Sequence, residues 1–251
     1  MATTAQTAEQ EAITQSGLVA AVWKALSLFA ILAALTLGLF LLAYFGNGPM
    51  RSIGFVSKTA PLQMVIGNDV FAVPQNMFRH GEQRQEGLTD RVDLMVHWPS
   101  GAGYRPDLLD AFSATDPAEV KTVLISIAQR RSLLDMRARF QPALKRAIVD
   151  GSVRDIGHGL MAASLDPSYG FIEEKLVYSQ QKLAGGDPVF VARCQKPHAH
   201  ERLLHACETD MFVGLGGVAR VRFAHGQLTD WRNFQAWLEM VLTGLRVTNA
   251  G

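Results

Sequence analysis

The chain has 251 residues, of which 48% are hydrophobic and 19% are charged, and its formal net charge is +1. This near-neutral balance argues against a nucleic-acid-binding protein, which would carry a strongly basic domain or face. Apart from one long apolar run, the composition is that of a globular protein with a single domain of ordinary size.

The apolar run occupies residues 25–45 and follows a polar, Thr- and Gln-rich tail at residues 1–24. It contains no charged residue and no Asn, Gln or Pro. A helix of this length is about 32 Å long, enough to cross a bilayer core of about 30 Å. The sequence therefore predicts a disordered tail and one transmembrane helix, with the lipid bilayer as a partner.

The tail and the run differ from a cleaved secretion signal. Such a signal has a short basic start, an apolar core of about 7–15 residues and a small-residue cleavage site. Here the leader contains Glu9 and Glu11, and the apolar run is longer. We therefore expect a retained single-pass anchor, followed by a linker at residues 46–61.

Two opposing signals bear on which side of the membrane residues 62–251 lie. Lys24 precedes the run, while Arg51 and Lys58 follow it, and this weakly favours a cytoplasmic C-terminal domain. Two cysteines placed where they can pair favour an oxidising compartment instead. Because long domains translocate largely regardless of charge, we expect an extracytoplasmic domain. In a Gram-negative cell this is the periplasm, with the anchor in the inner membrane.

Short strands dominate the prediction for the first part of the domain. Two apolar runs at residues 62–73 flank a Gly-Asn-Asp turn and predict a β-hairpin. Residues 75–88 are polar and predict a loop. Residues 91–98 alternate apolar and polar side chains, as in a strand with one buried face. Residues 121–129 are β-branched and apolar, which predicts a central strand.

Two amphipathic helices are also predicted. The first begins at Ser132, with Asp135 in the manner of a capping box, and Pro142 is expected to kink or split it. Its apolar residues recur every three or four positions, at Leu133, Met136, Phe140, Leu144 and Ile148. The second begins after a cap at Thr229 or Asp230. It carries its large apolar residues on one face, at Trp231, Phe234, Trp237, Leu238, Val241, Leu242 and Leu245.

Five further strands are predicted, at residues 159–165, 171–180, 189–195, 205–213 and 218–224. The Gly-rich residues 214–217 form the turn between the last two strands, because no helix follows them as a phosphate-binding loop requires. Many short strands with two covering helices indicate the α+β class, with a mainly antiparallel sheet. We expect residues 62–251 to form one such domain.

One dense cluster of potential metal ligands lies at the third and fourth of these five strand runs, at Cys194, His198, His200, His205 and Cys207. Cysteine and histidine suit zinc or copper, but the spacing matches no closed zinc pattern. If the flanking strands pair as a hairpin, Cys194 and Cys207 face each other. A disulfide there would close a loop of about 14 residues and contribute about 3 kcal/mol. The sequence favours this disulfide, with reduced thiols and a metal site as alternatives.

Other candidate sites favour structural interpretations. Ser179 and Lys182 match the S-x-x-K motif of penicillin-recognising enzymes, but they lie at the end of a predicted strand and the partner motifs are absent. Basic residues crowd the first predicted helix, at Arg130, Arg131, Arg137, Arg139, Lys145 and Arg146. They suit anionic lipid head groups or an acidic partner, although a solvated helix face explains them as well.

Residues 76–104 carry an N-x-x-R…D-R-x-D-L…W-P…G-Y pattern, and a D-W-R triplet lies near the end of the chain. The residues concerned are Asn76, Arg79, Asp90, Arg91, Asp93, Leu94, Trp98, Pro99, Gly103, Tyr104, Asp230, Trp231 and Arg232. In this pattern the chain resembles uncharacterised single-pass membrane-anchored proteins of alphaproteobacteria. The resemblance covers most of the chain after residue 45. It implies the same layout and supplies no catalytic residue, because no activity is known for the group.

The sequence shows no recognisable catalytic constellation and implies no cofactor. It favours a non-catalytic binding or envelope-assembly module whose partner is another envelope protein. The alternative is a periplasmic metal-binding or redox protein that uses the Cys/His cluster at residues 194–207. An enzyme whose site is assembled from distant residues is a third hypothesis.

Overall fold

A computed structural model of the chain describes residues 23–39, 54–196 and 203–247. The chain divides into two compact units, Met1–Ile53 and Gly54–Gly251. In the first unit the described residues form helix α1 (residues 23–39), whose apolar side chains are exposed. Among the described residues, no helix combines the length and the apolarity needed to cross a membrane. Residues 1–22 of the expected tail, 40–45 of the expected span and 46–53 of the expected linker lie outside the described residues.

Three short strands form a small sheet at the start of the second unit. Strands β1 (Pro61–Ile66) and β2 (Asp69–Pro74) pair antiparallel, which confirms the predicted hairpin. Gly67 lies in their turn with a φ of 60°, a conformation that glycine adopts at no steric cost. The expected loop at residues 75–88 is wrong at its end, because β3 (Gly87–Leu88) pairs parallel with β1.

Eight strands form the main sheet, and each neighbouring pair is antiparallel. They are β4 (Arg91–His97), β5 (Thr122–Gln129), β6 (Arg154–Gly157), β7 (Leu160–Ser164), β8 (Glu174–Ser179), β9 (Val191–Gln195), β10 (Cys207–Val213) and β11 (Gly217–Phe223). Their spatial order is β4-β5-β11-β10-β9-β8-β7-β6. The sequence predicts all of these strands except β6. The residues of β6 are all exposed, so they show no alternation of buried and exposed positions.

Alternation along the strands gives the main sheet two different faces. In β5, for example, Val123, Ile125 and Ile127 are fully buried, while Leu124, Ser126 and Ala128 between them are partly exposed. The buried face packs in one core cluster with the small sheet and a long helix near the C-terminus. The partly exposed face carries most of the charged side chains of the central strands.

The C-terminal helix confirms the second predicted amphipathic helix. A single helical turn, α2 (Leu109–Phe112), precedes it in the chain, and the long helix is α3 (Trp231–Leu245). All the large apolar residues predicted for its inner face are buried. The predicted side-chain cap is wrong, because neither Thr229 nor Asp230 caps the helix. The chain enters α3 through a short 3₁₀ helix, His225–Asp230, and the Thr229 hydroxyl donates to the carbonyl of Gly226 instead.

The first predicted amphipathic helix is wrong. Residues 131–148 form turns and one short 3₁₀ helix, Leu144–Ala147. Ser132 and Asp135 accept hydrogen bonds from backbone N–H groups two and three residues ahead, which stabilises turns rather than a continuous helix. Pro142 has no N–H for a helical bond. The domain is therefore α+β with a mainly antiparallel sheet, as expected, but with one long helix in its described part rather than two.

The apolar residues of this segment are nevertheless buried. Met136, Phe140 and Leu144 form a second core cluster with Leu176 of β8 and Val191 of β9. These last two side chains project from the face of the sheet opposite to α3, since their strand neighbours Val177 and Ala192 belong to the main core. The segment therefore covers the second face of the sheet at the β8–β9 end. Leu133 is an exception, being 84% exposed.

Candidate functional site

A groove of about 720 Å³ lies on the second face of the main sheet, beside the part that residues 131–148 cover. Its floor is formed by outward-facing residues of β5, β10 and β11, and residues 130–134 form part of its wall. We call it the arginine groove, because seven arginines line it, namely Arg79, Arg91, Arg130, Arg131, Arg139, Arg220 and Arg222.

Strand alternation explains how the floor is built. In β11 the residues Ala219, Val221 and Phe223 point into the core, so Val218, Arg220 and Arg222 point into the groove. The register then places Arg220 beside Ser126 on one side and Asp210 on the other. Apolar side chains fill the rest of the floor, at Leu124, Ala128, Phe212 and Val218. The groove therefore combines an apolar floor with many guanidinium groups.

Carboxylates neutralise some of these guanidinium groups. Arg91 pairs with Asp93 at 2.6 Å, and Arg139 pairs with Asp210. Glu208 is shared, since it accepts from Arg222 at 2.8 Å and from Arg193 at 3.2 Å and lies 3.7 Å from Arg220. Arg193 also pairs with Glu174 at 3.1 Å, so two carboxylates serve three guanidinium groups and one positive charge is left in excess at this end of the groove.

Three other arginines of the groove have no carboxylate partner among the described residues, namely Arg79, Arg130 and Arg131. Arg130 is half-buried, and its guanidinium carbon lies 4.6 Å from the centre of the Phe212 ring, in cation–π contact. Arg79 and Arg131 are exposed. These groups are free to pair with carboxylates or phosphates of a bound molecule, for which the planar guanidinium fork is well shaped.

Asp93 is the most constrained carboxylate beside the groove. Burial favours its neutral form, but hydrogen bonds from Ser126, Arg91 and Gln83 outweigh this and hold the pKa of Asp93 below its usual value. Asp93 therefore stays ionised at neutral pH and fixes the position of Arg91. The hydrogen bond from Ser126 and the ion pair with Arg91 therefore hold these side chains in fixed positions beside the groove.

The structure contains the predicted disulfide between Cys194 and Cys207. The two residues are directly opposite in the β9–β10 pair, as the hairpin interpretation requires. Both are buried in the main core, 1% and 0% exposed.

Of the histidines in the predicted ligand set, the structure describes only His205. His205 is bound elsewhere, because its Nε2 lies 3.0 Å from the carbonyl oxygen of Thr122. His198 and His200 lie outside the described residues.

Another histidine lies beside the disulfide. Nδ1 of His225 is 3.4 Å from Sγ of Cys207. The sequence interpretation missed it, because His225 follows β11 and comes next to the cysteines only through strand pairing. Although His225 is exposed as a residue, desolvation of its ring lowers its pKa, against the effect of a hydrogen bond with the Gln195 backbone.

Comparisons with known proteins give one similar structure. No protein-family model matches the chain, and no curated protein sequence matches it. A solved structure described as an immunity protein of the Stenotrophomonas maltophilia type IV secretion system is similar, with 16% sequence identity and a TM-score of 0.48. The similarity covers 76% of this chain and 94% of the other.

The sequence identified only part of the arginine groove. Of the six basic residues assigned to the first predicted helix, Arg130, Arg131 and Arg139 line the groove. The other groove arginines come from distant segments and were missed, namely Arg79, Arg91, Arg220 and Arg222. For Arg220 and Arg222 the sequence does contain a sign of the groove, because the R-V-R alternation in residues 220–222 places two positive charges on one face of a strand.

The S-x-x-K match does not form a catalytic pair. Ser179 ends β8, where its hydroxyl donates to the carbonyl of Gln181 and accepts from the N–H of Phe190. Lys182 is exposed and in an isolated bridge with Pro188. This agrees with the structural interpretation of the motif.

Proposed function

We propose that this chain is a single-pass inner-membrane protein whose periplasmic domain is a non-catalytic binding module for another envelope protein. The observation that carries the proposal is the arginine groove, with its excess of guanidinium groups over carboxylates. The partner contributes an acidic segment that lies in this groove.

Charge and shape both support a protein partner with an acidic segment. Arg79, Arg130 and Arg131 offer unpaired guanidinium groups, and arginine is among the residues that contribute most to binding at protein interfaces. The apolar floor and the 42% exposed side chain of Leu134 on the wall offer contact to apolar side chains next to the acidic ones. A groove of this kind fits a segment that mixes carboxylates with apolar residues.

Three features support an inner-membrane anchor with a periplasmic domain. The apolar run at residues 25–45 has the length of a membrane span. The disulfide is typical of an oxidising compartment such as the periplasm. The resemblance to single-pass membrane-anchored proteins of alphaproteobacteria implies the same layout.

Site-specific crosslinking in intact cells tests the proposal. A photoreactive residue replaces Leu134 in the groove, and in a matched control it replaces Ile156 on β6, at the far edge of the sheet. The two positions are similarly exposed, 42% and 45%. We expect a discrete adduct with an envelope protein from position 134 and none from position 156.

Charge reversal then tests whether the groove holds the partner. In the triple variant Arg79→Glu, Arg130→Glu and Arg131→Glu the adduct at position 134 is expected to disappear. The control variant Lys145→Glu, Arg146→Glu and Arg154→Glu makes the same change in net charge at exposed residues that do not line the groove, and it is expected to keep the adduct. An adduct that survives in the first variant contradicts the groove. Turnover of a substrate by the purified full chain contradicts the non-catalytic role.

A further inference from the structure

Three potential ligands for a soft or borderline metal ion meet at the β9–β10 pair. The Sγ atoms of Cys194 and Cys207 and a ring nitrogen of His225 all lie within 4.8 Å of one another. We infer that the chain, when this disulfide is reduced, binds Zn²⁺ through Cys194, Cys207 and His225.

Strand pairing holds these ligands together without the disulfide. Cys207 pairs with Cys194 on one side and with Phe223 of β11 on the other. The chain leaves β11 after Phe223, and His225 then brings Nδ1 to 3.4 Å from Sγ of Cys207. The backbone ladders of β9, β10 and β11 fix the Cα positions of both cysteines, and His225 begins the 3₁₀ helix two residues after the end of β11. Reduction of the S–S bond therefore leaves the three ligands as neighbours.

The ligand set matches zinc in type, number and charge. Zn²⁺ takes thiolate sulfur at about 2.3 Å and imidazole nitrogen at about 2.0–2.1 Å in tetrahedral geometry. Two thiolates neutralise its charge, so the complex avoids the cost of burying a net charge next to the core. Cu⁺ with the same two thiolates would be left with a net negative charge, which burial disfavours. His225 is exposed, so a water molecule can reach the fourth position.

The disulfide and the zinc site exclude each other. A dithiol reductant breaks the Cys194–Cys207 bond, supplies two electrons and two protons, and becomes a disulfide itself. Zn²⁺ then displaces the two thiol protons, which are released to solvent. The site therefore exists in a chain that has not yet been oxidised or has been reduced, and bound zinc blocks closure of the disulfide by occupying both thiolates.

This site differs from the Cys/His ligand set that the sequence offers as an alternative to the disulfide. His205 is held by Thr122, and the inferred set replaces it with His225, which lies outside the 194–207 cluster. The site is also independent of the arginine groove, so its presence or absence does not decide the proposed partner binding.

Cobalt titration of the reduced full chain tests the inference. Co²⁺ serves as a coloured probe for Zn²⁺, with the phosphine-reduced wild type, the His225→Gln variant and the His205→Gln variant compared under anaerobic conditions. We expect thiolate-to-cobalt charge-transfer absorption in the wild type and in His205→Gln, and its loss on addition of one equivalent of Zn²⁺. His225→Gln is expected to weaken binding by at least about tenfold, the least that loss of even an outer-sphere partner costs.

Several results would overturn the inference. These are equal Co²⁺ affinity in wild type and His225→Gln, binding without charge-transfer absorption, or equal binding by the oxidised chain. Circular dichroism establishes whether the reduced chain is folded. If it is unfolded, recovery of the fold on addition of Zn²⁺ supports the site, and failure to recover overturns it.

Discussion

At the scale of single residues, two Arg–Asp ion pairs show how burial decides whether such a pair contributes to stability. Arg91–Asp93 and Arg105–Asp107 have the same two-residue spacing and the same 2.6 Å contact. The side chain of Asp93 is 9% exposed and that of Asp107 is 62% exposed. Only Asp93 also accepts from a neighbouring strand and from Gln83. Burial with several donors makes its charge matter more for stability.

We predict that Asp93→Asn lowers the free energy of unfolding by about 1–3 kcal/mol at neutral pH, because the Arg91 guanidinium and two neutral donors lose their ionised acceptor. The native pKa of Asp93 is lowered, so its contribution is present above the unfolded value of about 3.9 and is lost as the pH falls through the native value. Urea denaturation at neutral and acidic pH measures both effects. Asp107→Asn is the matched control and should change stability much less. An equal loss in both variants would contradict the role of burial.

The same scale shows which site residues the sequence can reveal. Cys194 and Cys207 were predictable as a pair, because strand signals flank each of them and place them opposite each other in a hairpin. His225 was not, since nothing in its local sequence relates it to Cys207. Its position depends on the pairing of β10 with β11 and on the path of the chain after β11.

At the scale of elements, residues 131–148 show that a helical spacing of apolar residues can predict their burial without predicting a helix. Spacing of three and four residues correctly predicts that Met136, Phe140 and Leu144 are buried. It does not predict a helix, because side chains and Pro142 satisfy or remove the backbone groups that a helix needs. The turns of this segment place the same apolar residues on the second face of the sheet, against β8 and β9. The arginine groove lies on the adjoining part of that face, over β5, β10 and β11.

We predict that Phe140→Ala lowers the free energy of unfolding by about 3 kcal/mol, the lower end for a buried phenylalanine. Phe140 is 6% exposed, and its ring lies 5.0 Å from that of Tyr178. Leu133→Ala in the same segment is the control and should have almost no effect, since Leu133 is 84% exposed. Urea denaturation measures both, and amide exchange shows whether residues 131–148 open first. A large loss in Leu133→Ala would indicate a helix-like packing that the structure lacks.

At the scale of the whole domain, strand periodicity predicted most of the fold because one face of the main sheet is buried in all of its strands except β6. In β4, β5 and β11 the alternation of apolar and polar residues shows from the sequence which side chains face the core. The order of the strands was not predictable, because pairing partners such as β5 and β11 are far apart in the chain. The groove depends on that order, which is why its arginines were found only in part.

We predict that the wild-type chain isolated from cells is about two daltons lighter than its fully reduced form, because the disulfide lacks the two thiol hydrogens. Replacing both cysteines, in Cys194→Ser with Cys207→Ser, should lower the free energy of unfolding by about 3 kcal/mol on the chain-entropy model. Intact-mass spectrometry and urea denaturation test the two statements. A reporter fused after Gly251 tests the compartment, and a cytoplasmic signal would contradict the periplasmic location.

The contact between β2 and the residues after α3 has a practical consequence for engineering. The N–H of Val247 donates to the carbonyl of Val70 at 2.8 Å, and Arg246 lies 3.5 Å from the carboxylate of Asp69. The first hairpin of the domain and its last described residue are therefore immediate neighbours. Val70 pairs with Val65, so the start of β1 at Pro61 lies about 13 Å along the strand from this contact. A flexible bridge of about six residues can therefore join Val247 to Pro61, which makes the domain suited to circular permutation with new ends in the exposed turn at residues 184–185.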